Sequence, residues 1–358
     1  MMPSADRPPG GLLLLQPAFL GDVVLSTALI ESWHRAFPDD PIRVWVRKGA
    51  ESFFDDHPFV TEVLVWDRSG RGKYGRMLSL AFRARRRRPA KVVNLHRFSS
   101  MALVARIIGA PENAGFEGVS SFGLKAERVA HGIGDGRHET ERNHALIAGQ
   151  VGPFDAARDR PRLHPSGAHR TAVRTWPAQA AILAPSSVWA TKRWPESHWG
   201  ALVDALHQEG REVLMMGGPG DDRLLEAIAI RCSRRPHVMA GQLSLLGSAS
   251  LMASASVVVS NDSAPLHMAG AVGAPVVGVF CSTTPELGFG ALPGDIERGH
   301  AENVEVPSGE LACKPCGLHG KKRCPESHFQ CGTGLSVQTV MGAIRRISSP
   351  PSPGHPSS

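Results

Sequence analysis

Short apolar runs alternate with segments of helical period along most of the chain. Leu12 to Leu15 has no polar alternation, which suits a strand buried on both faces under helices. The turn Pro17 to Asp22 leads into a helix over Val23 to Phe37, apolar at helical spacing. Strands are expected at Ile42 to Val46, after the punctuation of Pro38 and Pro41, and at Val60 to Trp66 and Lys91 to Leu95. Helices lie between these strands and after Ser99. The pattern then restarts, with strands at Ala181 to Ala184, Glu212 to Met216, Val257 to Ser260 and Pro275 to Phe280. Helices follow at Pro195 to Gln208, Asp221 to Arg231 and Ser336 to Ile347. Strands separated by helices at this spacing predict parallel sheets with right-handed crossovers.

Between the halves, Gly152 to Gln179 is rich in Pro, Arg, His and Gly and has little apolar periodicity, so the domain boundary is expected there. The chain has 358 residues, enough for two domains of ordinary size. The expected organisation is a disordered start at 1–10, a first domain at 11–165, a linker at 166–179 and a second domain at 180–347. The tail 348–358, S-S-P-P-S-P-G-H-P-S-S, is too polar and proline-rich to pack.

Composition narrows the function classes. No run approaches the roughly 20 apolar residues that cross a bilayer. The opening M-M-P-S-A-D-R-P-P-G lacks a charged start with an apolar middle, so a cytoplasmic protein is expected. The formal charge of +7 is uneven, with its densest block at Arg83, Arg85, Arg86, Arg87, Arg88 and Lys91. This block is either a solvated helix end or an anion-attracting patch, and an acidic membrane face suits the second reading. Aromatic residues are only 6% and Tyr74 is the sole tyrosine, so no stacking platform for bases is evident and nucleic acid is not an expected partner.

Several turns carry candidate chemistry. The strand ending at Ser260 breaks into Asn261-Asp262-Ser263 and then a small-residue helix, so free N–H groups and a positive helix end converge on one point. Phosphate suits that point, and Asp262 and His267 add groups able to grip hydroxyls. Gly21-Asp22 sits where the first strand turns into the first helix. A carboxylate there either accepts a proton from an incoming hydroxyl or steadies the helix start. Pro17 to Gly21 lacks the glycine fingerprint of dinucleotide enzymes, which argues against nicotinamide or flavin, and no cofactor is expected.

Ser186-Ser187 after a strand, followed by Lys192-Arg193-Trp194-Pro195, offers hydroxyls and a flexible cation to a pyrophosphate. Trp194 and Trp199 are expected to pack the helix. Gly217 to Asp221 is another turn after a strand, where Asp221 either holds a base or ribose or caps a helix. His96-Arg97 closes a strand of the first half. Arg97 is a candidate for an acceptor phosphate or carboxylate, or for a surface ion pair. Cys313-x2-Cys316-x7-Cys324-x6-Cys331 offers thiolate ligands to a structural zinc, or reduced packed thiols. Cys232 and Cys281 read as isolated core residues.

Taken in order, Gly21-Asp22, Lys192 to Pro195, Gly217-Gly218 and Ser260 to His267 resemble glycosyltransferase family 9, the ADP-heptose:lipopolysaccharide heptosyltransferases. The resemblance spans Leu12 to about Ile347, and the cysteine segment is most similar to the heptosyltransferase II branch. It implies an α/β fold of the GT-B kind: two Rossmann-like, doubly wound parallel-sheet domains facing a central cleft, with the acceptor on the first and the nucleotide sugar on the second. Under it, Asp22 is the catalytic base. Ser186, Ser187, Lys192, Asp262, Ser263, Ala264 and His267 bind the donor, Asp221 is a candidate on the nucleotide side, and His96 and Arg97 are candidates for the acceptor. Ala264 stands where many members have glycine.

The implied reaction is an inverting, metal-independent transfer from ADP-heptose to the lipopolysaccharide inner core, beside the anionic inner membrane. The chain has no D-x-D triplet, which agrees with a leaving group held by protein cations and dipoles. Alternatives are a family 9 transferase with another sugar or acceptor, a GT-B sugar-nucleotide epimerase, and a zinc-dependent nucleic-acid binder.

Overall fold

The computed structural model describes residues 10–97, 99–118, 127–292 and 300–348. Apart from Gly10 and Ser348, the ends expected to be disordered lie outside the described residues. The chain divides into two compact units, one through His164 and one from Pro165.

The first unit is built on β1 (Leu12–Gln16), β2 (Ile42–Arg47), β3 (Val60–Trp66), β4 (Lys91–Asn94), β5 (Glu112–Phe116) and β6 (Glu127–Val129). Their order is β3-β2-β1-β4-β5-β6, every pairing parallel. Leu14 sits between Val44 and Val93, and the leucines of β1 are at most 1% exposed, as a central strand covered on both faces requires. This is the doubly wound order of nucleotide-binding α/β folds.

In the second unit, β7 (Ala181–Ala184), β8 (Val213–Gly217), β9 (His237–Ala240), β10 (Val257–Asn261), β11 (Val276–Phe280) and β12 (Ala301–Glu305) repeat that plan. Their order is β12-β11-β10-β7-β8-β9, again parallel throughout. Trp194 and Trp199 are both buried, with ring centroids 5.3 Å apart, beside the helix Val337–Ser348 in one apolar core.

Strands β5, β6, β9 and β12 and the helix Leu245–Met252 have no counterpart in the sequence reading. Three of those strands are edge strands, and E-R-V, H-V-M-A and A-E-N-V-E carry too little apolar residue to announce themselves. The helix Leu20–Ala36 starts before the expected Val23 because Phe19 is extended (φ −71°, ψ 163°) and the Asp22 carboxylate accepts its N–H at 3.1 Å. Residues 155–164, although poor in apolar periodicity, are fastened to this helix by polar bonds. Ser32 donates to Asp159 at 2.7 Å, Arg35 pairs with the same oxygen at 2.8 Å, and Thr27 Oγ1 accepts the Arg162 N–H at 2.9 Å. Among the described residues no helix is long and apolar enough to cross a membrane.

Candidate functional site

In a parallel sheet the loops that follow the strands gather along one edge, where ligands of this fold class bind. In the second unit, β10 ends at Asn261, and Asp262 and Ser263 lead into the helix Ala264–Ala271. Ser263 is the extended N-cap residue, and Pro265 occupies the first turn, where no N–H is needed. Asn261 is fully buried and stitches the loops together. Its Nδ2 donates to Pro185 O at 2.7 Å and its Oδ1 accepts the Trp194 N–H at 3.0 Å, so the Lys192–Trp194 segment lies against the start of this helix.

Lys192 Nζ then sits 2.6 Å from Asp262 Oδ2, with the side chains 12% and 8% exposed. Thr283 Oγ1, from the loop after β11, donates to the same oxygen at 2.6 Å. Ser263 Oγ donates to Ser186 O at 3.2 Å, and the buried Ser187 holds Arg193 through its carbonyl at 2.7 Å. His267 lies beneath, and burial pushes its pKa down to about 4, with Lys192 lowering it further and Asp262 opposing. Its ring is therefore neutral at pH 7. The product is a cradle of helix amides, hydroxyls and one ammonium held by Asp262, suited to a diphosphate.

Asp221 folds back on its own turn, accepting the Gly218 N–H at 2.8 Å, and a Cβ at Gly217 would lie 2.7 Å from the Asp221 Cβ. Here the carboxylate closes the glycine turn. The cysteine segment packs beneath Lys192. Thr191 N–H donates to Lys321 O at 3.1 Å, Lys321 N–H donates to Thr191 Oγ1 at 2.8 Å, and that hydroxyl donates to Ser282 Oγ at 3.0 Å. A Cβ on Gly320 would lie 2.6 Å from Trp189 Cβ and 2.9 Å from Lys192 Cγ. The thiols of Cys316 and Cys331 are raised by burial first and then by neighbouring cysteines, Cys331 to about 11. Cys313 Sγ lies 3.9 Å from His328 Nε2, and the Cys316 thiol donates to Cys313 O at 3.4 Å. Cys281 is fully buried, and Cys232 donates to Ile228 O at 3.3 Å.

In the first unit, Asp22 lies in the first turn of its helix, and its charge reaches Arg47. Burial and Arg68 lower the Arg47 pKa, while Asp22 opposes that shift. Arg47 ends β2 and Lys48 follows it, and Asp67 and Arg68 follow β3. With Leu20 and Trp66 they line a cavity of about 520 Å³ beside Asp22. His96 follows β4, and burial, then Arg68 and Arg97, push its pKa down to about 4. Arg97 approaches His131 Nδ1 at 3.5 Å, and His131 Nε2 lies 3.2 Å from Glu139, which also accepts from the fully buried Arg142 at 3.1 Å.

Sequence reasoning placed Asp22, His96 and Arg97 on this edge but missed Arg47, Lys48 and Arg68. The signal was available, since each stands within two residues of the end of a predicted strand. Of the basic block, Arg83 and Arg87 share Glu62 at 2.7 and 3.0 Å, and Lys91 is buried 3.5 Å from Glu127.

Two doubly wound units of this topology, one with a carboxylate near a basic cavity and one with a lysine–aspartate pair at a helix start, have the architecture of glycosyltransferases of the GT-B type. The description of glycosyltransferase family 9 (heptosyltransferase) matches residues 80–317, and the chain belongs to that family. Lipopolysaccharide heptosyltransferase 3 of Escherichia coli (strain K12) is 25% identical over 276 residues, 74% of this chain and 80% of the relative. Lipopolysaccharide heptosyltransferase 2 of the same strain is 24% identical over 293 residues, covering 77% and 84%. The solved E. coli ADP-heptose lps heptosyltransferase II has the same fold, with a TM-score of 0.74 at 19% identity over 94% of this chain and 98% of the other.

Proposed function

We propose that the protein is an inverting, metal-independent heptosyltransferase of the second kind, moving heptose from ADP-heptose to the heptosylated Kdo–lipid A core of lipopolysaccharide. The observation that carries this reading is the Lys192–Asp262 pair at 2.6 Å, set at the start of a helix. Similarity to relatives named as lipopolysaccharide heptosyltransferases supports the sugar and the acceptor.

In this mechanism Asp22 takes the proton of an acceptor hydroxyl. The oxygen forms a bond to the anomeric carbon as the bond from that carbon to the β-phosphate oxygen of ADP breaks on the opposite face. Lys192 and the amides at Ser263 and Ala264 take up the charge that grows on the departing diphosphate. Ser186, Ser187 and His267 hold the donor, with Asp262 orienting Lys192 and reaching a sugar hydroxyl. Asp221 reaches the nucleoside only by opening its turn. Arg47, Lys48, Arg68 and Arg97, with neutral His96, recognise the phosphates or carboxylates of the core. Asp22→Asn should abolish transfer while leaving ADP affinity within about twofold, and transfer at the wild-type rate would remove Asp22 from the mechanism.

We also infer that the enzyme works on the cytoplasmic face of the inner membrane. The helix Lys73–Arg86 supports this, because Tyr74, Leu78 and Phe82 are 59%, 37% and 54% exposed at four-residue spacing and Arg86 is exposed beside them. An amphipathic helix with apolar and basic faces lies in a bilayer surface. Vesicles containing anionic lipid should retain the wild type at low salt, and Leu78→Ser with Phe82→Ser should release it. Equal retention of both proteins would refute the docking face and leave the transfer reaction untouched.

A further inference from the structure

A second cluster of functional side chains lies at the opposite edge of the first unit's sheet, remote in the fold from the loops after its strands. Glu31 lies in the last turns of the helix Leu20–Ala36, His57 just before β3, and His164 at the end of the unit. His164 Nε2 is 2.8 Å from Glu31 Oε1, and the His57 and His164 rings are 4.7 Å apart at 72°. His57 is 7% exposed and wedged between Phe54 and Phe59. Its Nδ1 accepts the Phe59 N–H at 3.2 Å, while its Nε2 is shut off from solvent without a hydrogen-bond partner. One ligand atom from each of the three residues lies within 4.8 Å of the other two.

We propose that Glu31, His57 and His164 form a binding site for a divalent transition-metal ion of the zinc class. Two imidazoles and a carboxylate are the donor set such ions take, and none of the residues belongs to the transferase machinery described above. Because Nδ1 accepts the Phe59 N–H, the proton of the neutral His57 ring sits on the enclosed Nε2. An orphaned buried imidazole nitrogen costs free energy unless a partner reaches it, and a metal is such a partner. Bonds of about 2.0–2.1 Å put tetrahedral ligands about 3.3 Å apart. The His164–Glu31 pair therefore opens by about half an ångström and gives up its shared proton, while His57 closes in. Ligation through Nε2 moves the His57 proton to Nδ1, which then faces the Phe59 N–H as a second donor. The ring turns and both donors need new acceptors, a cost the coordination bond offsets.

The open side faces a cavity of about 390 Å³, lined also by Arg35, Arg158 and Arg162, with room for a water ligand. Arg35 and Arg158 are neutralised by Asp159 and Asp155 at 2.8 and 2.7 Å. Side-chain exposures of 11% for Glu31 and 28% for His164 leave an entry path. The ion would clamp the last residue of the first unit to the helix that carries Asp22 at its other end.

The test uses the full chain without a histidine tag, stripped by chelator and titrated with Co²⁺ while visible absorption and thermal unfolding are followed. The expected result is one equivalent bound with no thiolate charge-transfer band, a raised midpoint of unfolding, and release of protons. Glu31→Gln and His164→Gln, both partly exposed and tolerant of the exchange, should each weaken binding by at least about tenfold. Cys313→Ser with Cys316→Ser should leave it unchanged. A spectrum dominated by thiolate, or affinity undiminished in both the Glu31 and His164 variants, would overturn the proposal.

Discussion

Lys192 offers the sharpest test of the donor cradle, because one ammonium serves two purposes. It lies 2.6 Å from Asp262, and in the mechanism proposed above it meets the charge developing on a departing diphosphate. Loss of one preorganised group of that kind lowers turnover by about 10²–10³, or about 2.7–4 kcal/mol. Lys192→Ala also strands the Asp262 carboxylate, 8% exposed, with Thr283 as its remaining hydroxyl partner. Breaking a buried ion pair from one side costs about 3–5 kcal/mol, and the water that reaches these side chains puts this pair at the low end. A loss of about 3 kcal/mol in a domain of this size lowers the unfolding midpoint by roughly 6–12 °C.

The two losses separate in the double variant. Adding Asp262→Asn removes the stranded charge and should restore most of the midpoint, while transfer from ADP-heptose to a truncated core lipid stays at least about 10²-fold down. Initial-rate kinetics and thermal unfolding on the same preparations give both numbers. Lys192→Ala within about threefold of the wild-type kcat/KM, or a double variant that recovers activity along with stability, would refute the argument.

Other outcomes follow from the same geometry. Arg47→Ala combined with Arg68→Ala should raise KM for the core acceptor by at least about tenfold and leave ADP affinity unchanged, since an ion-paired phosphate contact is worth about 1.5–3 kcal/mol; equal loss toward donor and acceptor would count against an acceptor site there. The pKa of His267 is about 4 folded against 6.5 unfolded, so the unfolded chain binds protons first as pH falls. Its contribution, at most about 3 kcal/mol, is complete above pH 6.5 and drains away between 6.5 and about 4. The unfolding midpoint of chelated protein should drop across that window, and a flat profile would contradict neutral burial. Gly320→Ala should cost about 1–3 kcal/mol of stability by overpacking and reduce transfer by up to about 10²-fold by displacing Lys192, whereas unaltered kinetics would show that the contact is idle.

The central strands were legible because burial on both faces writes an unbroken apolar run, as in Leu12 to Leu15 and Val257 to Val259. Edge strands such as β6 and β12 take their conformation from a neighbour's unpaired backbone, and three to five mixed residues cannot announce that. Asp22, Lys192 and Asp262 were readable as the residues that follow a strand, where this fold places ligands. Thr283 also follows a predicted strand, but an isolated threonine three residues past Phe280 carries no charge or motif to single it out, and its bond to Asp262 appears only in the structure. His57 and His164 were equally silent, since residues 107 positions apart meet only through the first helix, and each alone reads as a loop histidine.

The knitting of Thr191 to Lys321 has a practical consequence for anyone exchanging parts between family members. The cysteine-bearing loop has the look of a detachable appendage, yet Thr191, the residue just before Lys192, is sewn to it by backbone and hydroxyl bonds. A chimera that imports a foreign loop while keeping the native 187–193 stretch therefore inherits a mismatched seam. Transplants should carry both pieces together, and a graft boundary placed between them will be read out as lost affinity for the sugar nucleotide.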